Sequence, residues 1–421
     1  MGAKRYLIKT YGCQMNENDS EIMAGILESK GFKPAEDIAS ADMIIANTCS
    51  VRDGAERKAK GFIADLVHLK KKKKDLLVGV TGCMAERMGE ELLKKYKFVD
   101  FVLGPNMEMD INDIVGGRSR AARTGDSPFF KDSSYAKREN SVNAWVTIME
   151  GCNNFCSYCI VPYVRGREKS RPAADILKEI ESLDKNVFKE VTLLGQNVNS
   201  YEFGLARLLK EVSKIDGIQR IKFMTSHPRD MSDEIIDAVA KNEKVCEYFH
   251  LPLQSGDDAV LKAMNRGYDM AYYFSLIKKI RDRIPSAAIT SDVIAGFPGE
   301  TEEQFQNTLK NIEKLEFDTI NTLAFDPRPG TKAAAMDAQL PKDTVNKRLQ
   351  VLMRTVERTT HNKNQSLLGS EHEILVEAEG LGRTRTNKIV RFRNENIKPG
   401  SFVRVKITSA KSWVLQGEVL G

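Results

Sequence analysis

Short apolar runs recur along the first third of the chain, and each ends in a polar or glycine residue followed by a cysteine. Arg5–Thr10 leads into Tyr11-Gly12-Cys13, Asp42–Ala46 into Asn47-Thr48-Cys49, and Leu76–Val80 into Thr81-Gly82-Cys83. After each comes a stretch with helical periodicity: Ser20–Ser29, Ala55–Leu69 and Glu86–Tyr96. The cysteines are spaced by 36 and then 34 residues. A strand–helix repeat of that length predicts parallel strands in an α/β sheet. Each thiol then falls at the carboxyl end of its strand, the edge where open α/β sheets bind ligands.

Polar, glycine-containing sequence from Gly116 to Asn140 reads as a linker. Beyond it the alternation resumes. Strands are expected at Ala144–Met149, Glu190–Leu194, Arg220–Thr225, Cys246–Leu251, Ala287–Ile294 and Thr319–Phe325, with helices between them. Six β/α units predict a partial parallel barrel whose active face is the carboxyl end of its strands. A long polar helix, Lys342–Gln365, precedes short strands at Glu373–Val376, Lys388–Arg393, Phe402–Ile407 and Val414–Val419, separated by Gly and Pro turns. That is the pattern of a small β-barrel. The expected fold class is therefore α/β: an N-terminal parallel-sheet domain (1–118), a linker (119–140), a partial (β/α)6 barrel with its trailing helix (141–367) and a C-terminal β-barrel (368–421).

Composition adds compartment and partner. At 421 residues, with 41% hydrophobic and 29% charged, the chain can bury several cores and is not a disordered sequence. The net charge is +6, and the last 63 residues hold ten Lys or Arg against six Asp or Glu. A basic excess at one end suggests a polyanion, nucleic acid before membrane. Lys4 and Arg5 precede only Tyr-Leu-Ile-Lys, too short for a secretory apolar core, and no apolar run reaches the ~18 residues of a membrane span. A cytoplasmic location without a membrane partner is expected. Seven cysteines in a reducing compartment read as ligands or reactive groups, and their odd number argues against full disulfide pairing.

Cys152-Asn-Asn-Phe-Cys156-Ser-Tyr-Cys159 carries the strongest chemical signal. Three soft thiolates follow an expected strand, and such ligands select iron–sulfur clusters or zinc. Structural zinc closes with four ligands, and no fourth Cys or His follows within 60 residues. Three thiolates on a 4Fe–4S cluster would leave one iron open. The alternatives are a zinc site or buried thiols.

This CxxxCxxC motif after the first barrel strand resembles the radical S-adenosylmethionine (SAM) superfamily. The stretch from Glu150 through Glu168, together with Tyr11-Gly-Cys-Gln-Met-Asn16, Asn47-Thr-Cys-Ser-Val-Arg52 and Thr81-Gly-Cys83, is similar to the methylthiotransferases within it. The likeness covers nearly the whole chain, including a C-terminal domain that looks like a TRAM RNA-binding barrel. Gly12–Asn16 and Leu194-Gly-Gln-Asn-Val-Asn199 favour members acting on tRNA over the relative that modifies a ribosomal protein. The family usually has Tyr-Ser shortly before Arg-Pro-Gly-Thr, whereas here Phe325-Asp326-Pro327 precedes Arg328-Pro-Gly-Thr331.

The resemblance implies two 4Fe–4S clusters, one on Cys152, Cys156 and Cys159 and an auxiliary one on Cys13, Cys49 and Cys83. It implies SAM used both as methyl donor and as radical source. The implied reaction attaches a methylthio group to carbon 2 of an isopentenylated adenosine beside the anticodon of tRNA. A sulfur donor and an electron donor would be partners, and a monomer is expected. SAM contacts are expected from strand ends: Gly195, Gln196 and Asn197 after the second barrel strand, Gln254 and Ser255 after the fourth, and Asp292 on the fifth, with Thr301 capping the helix that follows. Cys246 reads as packing, and His250 as a satisfied interior histidine. Lys70–Lys74 reads as a solvated helix end or a phosphate contact. Arg383, Arg385, Lys388, Arg391 and Arg393, with Phe392, Phe402 and Trp413 among them, suggest an RNA backbone strip. Rival readings are a methylthiotransferase for another tRNA adenosine or a protein, and a non-catalytic iron–sulfur protein that binds RNA or carries electrons.

Overall fold

The computed structural model describes residues 3–51, 53–117, 121–125, 135–138, 142–393 and 396–420. It divides into two compact units. The first comprises residues 1–139 with 149–153 and 159–171, and the second holds the remainder.

In the first unit six parallel strands pair in the order Lys33–Pro34, Arg5–Thr10, Met43–Thr48, Leu77–Gly82, Phe101–Leu103 and Ala121–Arg123. The central strand Met43–Thr48 is buried along its whole length, as a parallel strand covered on both faces should be. Its side chains alternate between two cores. Ile44 and Ala46 pack with Ile63, Leu66, Val78 and Val80, while Met43 and Ile45 pack with Ile22, Met23, Ile26 and Phe101. Ala121–Arg123, expected to be linker, is the outermost strand, because its backbone completes the ladder beyond Phe101–Leu103. Much of the rest of that expected linker lies outside the described residues. The single helix expected over Glu86–Tyr96 is two, Cys83–Met88 and Glu90–Lys95, divided at Gly89, whose φ is +48°. The lysine run is partly tied down. Lys70 donates to Asp100 at 2.8 Å and to the Leu76 carbonyl, and Lys73 pairs with Asp42 at 2.7 Å.

The second unit carries six parallel strands in two runs. Asn143–Thr147, Glu190–Leu194 and Arg220–Phe223 form one, and Tyr248–His250, Ala288–Ala295 and Thr319–Ala324 the other. A parallel bridge between Ile221 and Val245 joins them, and among the described residues the first and last strands do not pair. The result is the expected partial barrel. Thr301 caps the helix Glu302–Leu315 in a reciprocal capping box with Gln304.

Helix Lys342–Gln365 leads into a closed five-stranded barrel made of Glu371–Ala378, Leu381–Thr384, Ile389–Phe392, Leu415–Val419 and Phe402–Ala410. Leu381–Thr384 was not expected as a strand, since Gly382 and two polar residues interrupt its apolar pattern. This barrel sits against the amino-terminal ends of the β/α strands. Arg220, 0% exposed, donates to the Arg383 and Glu373 carbonyls and pairs with Glu373 at 2.9 Å. Arg385 clasps Glu247 with two nitrogens, Lys222 reaches Asn387 at 3.2 Å, and Lys388 pairs with Asp318 at 2.8 Å. The expected RNA strip is corrected accordingly. Arg383, Arg385 and Lys388 are held in intramolecular ion pairs, whereas Arg391 and Arg393 are exposed. Phe392 is core, but Trp413 is 55% exposed.

Truncation after Leu368 would strip Arg220 of its partners and expose to water the surface that the small barrel covers, a destabilising change. The truncated chain should unfold at a lower urea midpoint than the intact one, followed by circular dichroism. An unchanged midpoint would mean the small barrel contributes nothing to closing the larger one.

Candidate functional site

In the first unit the three strands end at Cys13, Cys49 and Cys83 as their repeat predicts. Helix Gln14–Ser29 starts immediately after Cys13, earlier than expected, because the Asn16 side chain accepts from the Cys13 backbone N–H. That places Cys13 at the amino terminus of the helix. Asn16 Nδ2 also donates to Asn47 Oδ1 at 3.0 Å and to the Thr48 carbonyl, while Asn47 Nδ2 donates to the Asn16 carbonyl and Ser20. Thr48 donates to the Thr81 carbonyl at 2.6 Å. These bonds lash the ends of the three strands together. The approach is close enough to demand glycine. A Cβ on Gly82 would lie 2.4 Å from the Thr48 carbonyl oxygen, and one on Gly12 would lie 2.4 Å from Asn16 Oδ1.

Cys49 and Cys83 are buried and Cys13 is exposed. Burial pushes the Cys83 thiol up to about 12; Arg165 opposes that rise, and nearby Cys49 and Cys13 add to it. Arg165 was missed in the sequence. Its Nε donates to Cys83 Sγ at 3.4 Å, and its Nη atoms pair with Asp19 at 2.8 Å and Glu150 at 3.2 Å. All three side chains are at most 3% exposed. The donor set suits a ligated cluster: three thiols carried just past neighbouring strand ends, a cation beside Cys83, and a backbone pinched by glycine.

The motif loop contributes Cys152 and Cys159 to the first unit and Cys156 to the second. Cys152 N–H donates to the Gly166 carbonyl at 3.2 Å. In the second unit Cys156 is buried, and Arg266 Nη1 donates to its Sγ at 3.4 Å. Phe155, just before it, has φ +46°, and Asn265 (φ +58°) holds the Asn154 and Phe155 carbonyls through its side-chain amide. Thr225 and Gln254, beyond the third and fourth strands, have φ +72° and +71°. A left-handed β-branched residue costs about 1–3 kcal/mol, and such strain gathers at ligand sites. Among the described residues no three Cys, His, Asp or Glu side chains stand where they could share a single metal ion, and no disulfide forms.

The expected SAM contacts divide. Among the described residues Gln254 Oε1 is buried without a hydrogen-bond partner. So are two atoms that sequence reasoning missed, Ser226 Oγ and His227 Nε2, which follow the third strand. Burial, then Arg266 and Arg229, hold His227 down to about 2, so its ring is neutral. Unsatisfied polar atoms on the carboxyl edge of a barrel are what a polar ligand would fill. Asp292 accepts from Asn321 at 2.8 Å and lies 3.4 Å from His250, whose other nitrogen meets Thr290 at 2.9 Å. Gly195 is buried and Gln196 half-buried on the same edge. Asn197 binds Asp230 and the His227 N–H, so its side chain shapes the neighbouring loop. Ser255 is fully buried, and its hydroxyl lies 3.3 Å from Thr308 Oγ1, fastening the loop to a helix. Cys246 is buried, and its thiol is pushed up to about 11 by that burial. The Phe325 loop closes on itself through Asp326–Arg328 at 2.9 Å, with the Phe325 ring packed on Phe297.

Comparison with known proteins fits this geometry. Residues 146–312 match the radical SAM superfamily, residues 5–104 the Uncharacterized protein family UPF0004, and residues 365–420 the TRAM domain. The fold is also similar to a solved radical S-adenosylmethionine methyltransferase, TsrM from Kitasatospora setae, with a TM-score of 0.58 at 15% identity, covering 79% of this chain and 77% of that one. The class is thus a radical SAM enzyme, which takes SAM and a 4Fe–4S cluster. Over 99% of its length the chain is 46% identical to the tRNA-2-methylthio-N(6)-dimethylallyladenosine synthase of Dictyoglomus thermophilum, covering 98% of that protein. It is 45% identical to the synonymous protein of Carboxydothermus hydrogenoformans, with 99% of each chain covered, and 44% identical to that of Thermodesulfovibrio yellowstonii, with 100% of each covered. The chain belongs to this family of radical SAM methylthiotransferases.

Replacing Arg165 by Met would leave Asp19 and Glu150 buried without their cation. Breaking a buried pair in this way costs about 3–5 kcal/mol. Urea unfolding of the cluster-free chain should register a loss of that size, and a loss under about 1 kcal/mol would mean the triad is solvated.

Proposed function

We propose that the chain attaches a methylthio group to carbon 2 of an isopentenylated adenosine beside the anticodon of tRNA. The observation that carries this reading is identity of 44–46% across essentially the full length of proteins named for that product. Two thiol triads, each at the carboxyl edge of a parallel sheet and each with a buried arginine on one thiol, support it. When bound, a barrel cluster with SAM supplies a 5′-deoxyadenosyl radical able to attack an unactivated C–H bond, and an auxiliary cluster supplies the sulfur.

In this reading Cys152, Cys156 and Cys159 hold the first cluster and Cys13, Cys49 and Cys83 the second. Gly195 and Gln196 offer backbone groups to SAM, and Gln254 and Asp292 offer side chains. Asn197 and Ser255 act indirectly, by fixing the loops that carry those groups. Ser226 and His227 present two further polar atoms to the bound ligands. Neutral His227 serves as a hydrogen-bond donor, because its Nδ1 already accepts from the Arg229 N–H. Exposed Arg391, Arg393 and Trp413 are the parts of the small barrel placed to meet phosphate and an unpaired base. The N-terminal domain runs through Arg123, ahead of a linker to the barrel at about residue 141. The protein works as a cytoplasmic monomer that draws on a separate sulfur donor and electron donor. No helix among the described residues is long and apolar enough to cross a membrane.

Anaerobically reconstituted variants, assayed with isopentenylated tRNA and SAM, test the assignment. Cys152→Ala should form neither 5′-deoxyadenosine nor methylthiolated nucleoside by mass spectrometry. Cys13→Ala should still form 5′-deoxyadenosine and leave the tRNA unmodified. Methylthiolation by Cys13→Ala, or radical cleavage by Cys152→Ala, would overturn it.

A further inference from the structure

Both triads have an arginine at one thiol, but the two cations differ in what neutralises them. Arg165, beside Cys83, is paired with two buried carboxylates, Asp19 and Glu150. Arg266, beside Cys156, is 4% exposed and has none. Its Nη1 donates to Cys156 Sγ at 3.4 Å and to the Tyr158 hydroxyl at 3.5 Å, its Nη2 to the Pro252 carbonyl at 2.7 Å, and its Nε to the Tyr268 hydroxyl at 3.0 Å. Among the described residues no Asp or Glu lies within ion-pair distance of it. A buried cation surrounded only by neutral acceptors is costly and calls for an anion. A cluster ligated through the Cys156 sulfur beside Arg266 supplies that negative charge.

We propose that Arg266 is a redox-positioning residue: its guanidinium is the counter-charge of the barrel cluster and favours the reduced form. This rests on the assignment of Cys152, Cys156 and Cys159 to that cluster. One-electron reduction by a low-potential donor adds one negative charge to the cluster beside a fixed positive charge. Hydrogen bonds to cluster sulfur and net charge are the levers that set iron–sulfur potentials. Arg165 lacks this leverage, because two carboxylates already outnumber its charge.

The test is a potentiometric titration of the reconstituted full chain with dithionite, read by electron paramagnetic resonance, with iron counted for each sample. Arg266→Gln should retain its iron and shift the barrel midpoint to more negative potential, while Arg266→Lys, which keeps the charge, should stay near the parent. An unshifted or more positive midpoint in Arg266→Gln overturns the proposal. Should the Gln variant not load, Arg266→Lys decides: a loaded cluster at the parental midpoint supports the charge, and loss of the cluster there too assigns the side chain to packing and overturns it. Cys156→Ala separates the two claims. A barrel cluster that survives in Cys156→Ala sinks the ligand assignment itself, whereas its loss there, with no shift in Arg266→Gln, sinks this inference alone.

Discussion

Parallel strands all finish on one edge of their sheet, and each leaves backbone groups there that the ladder no longer pairs. Any chemistry carried just past the strands is therefore gathered in one place without long-range design. Both halves of this chain use that constraint. In the first unit three equivalent strand ends deliver Cys13, Cys49 and Cys83, drawn together by the Asn16–Asn47–Thr48 hydrogen bonds and by glycines that leave no room for a Cβ. In the second, the barrel edge collects Cys156, strained Thr225 and Gln254, and the unpartnered atoms of Ser226 and His227.

Much of this was legible from periodicity. The 36- and 34-residue spacing of the cysteines predicted the parallel sheet, because a strand, a helix and two turns need that length. The six β/α units and helix Lys342–Gln365 were likewise readable. What escaped were features with no local pattern. Phe101–Leu103 and Ala121–Arg123 are too short to announce themselves, and the second is polar at its end. Arg165 and Arg266 look like ordinary surface residues in sequence. Only the fold shows them buried, since their acceptors lie up to 146 residues away for Arg165 and 110 for Arg266. The Ser255–Thr308 contact escaped for the same reason, its partners being 53 residues apart.

The C-terminal barrel holds its basic residues in two kinds of setting. A basic strip read from sequence suggested one role for five residues. The fold assigns Arg383, Arg385 and Lys388 to ion pairs with Glu377, Glu247 and Asp318, leaving Arg391 and Arg393 outward. Charge count alone could not separate these settings, because part-buried ion pairs and exposed cations draw on the same side chains. The docking also accounts for Arg220, a fully buried cation at the foot of the barrel whose acceptors all come from the small domain.

The central claim is that two separate thiol triads each hold a four-iron cluster. Iron and acid-labile sulfide, counted per chain after anaerobic reconstitution, address it most directly. The account predicts about eight of each, by the three-thiolate logic for six cysteines. A value near four of each, or zinc in place of iron, would contradict it.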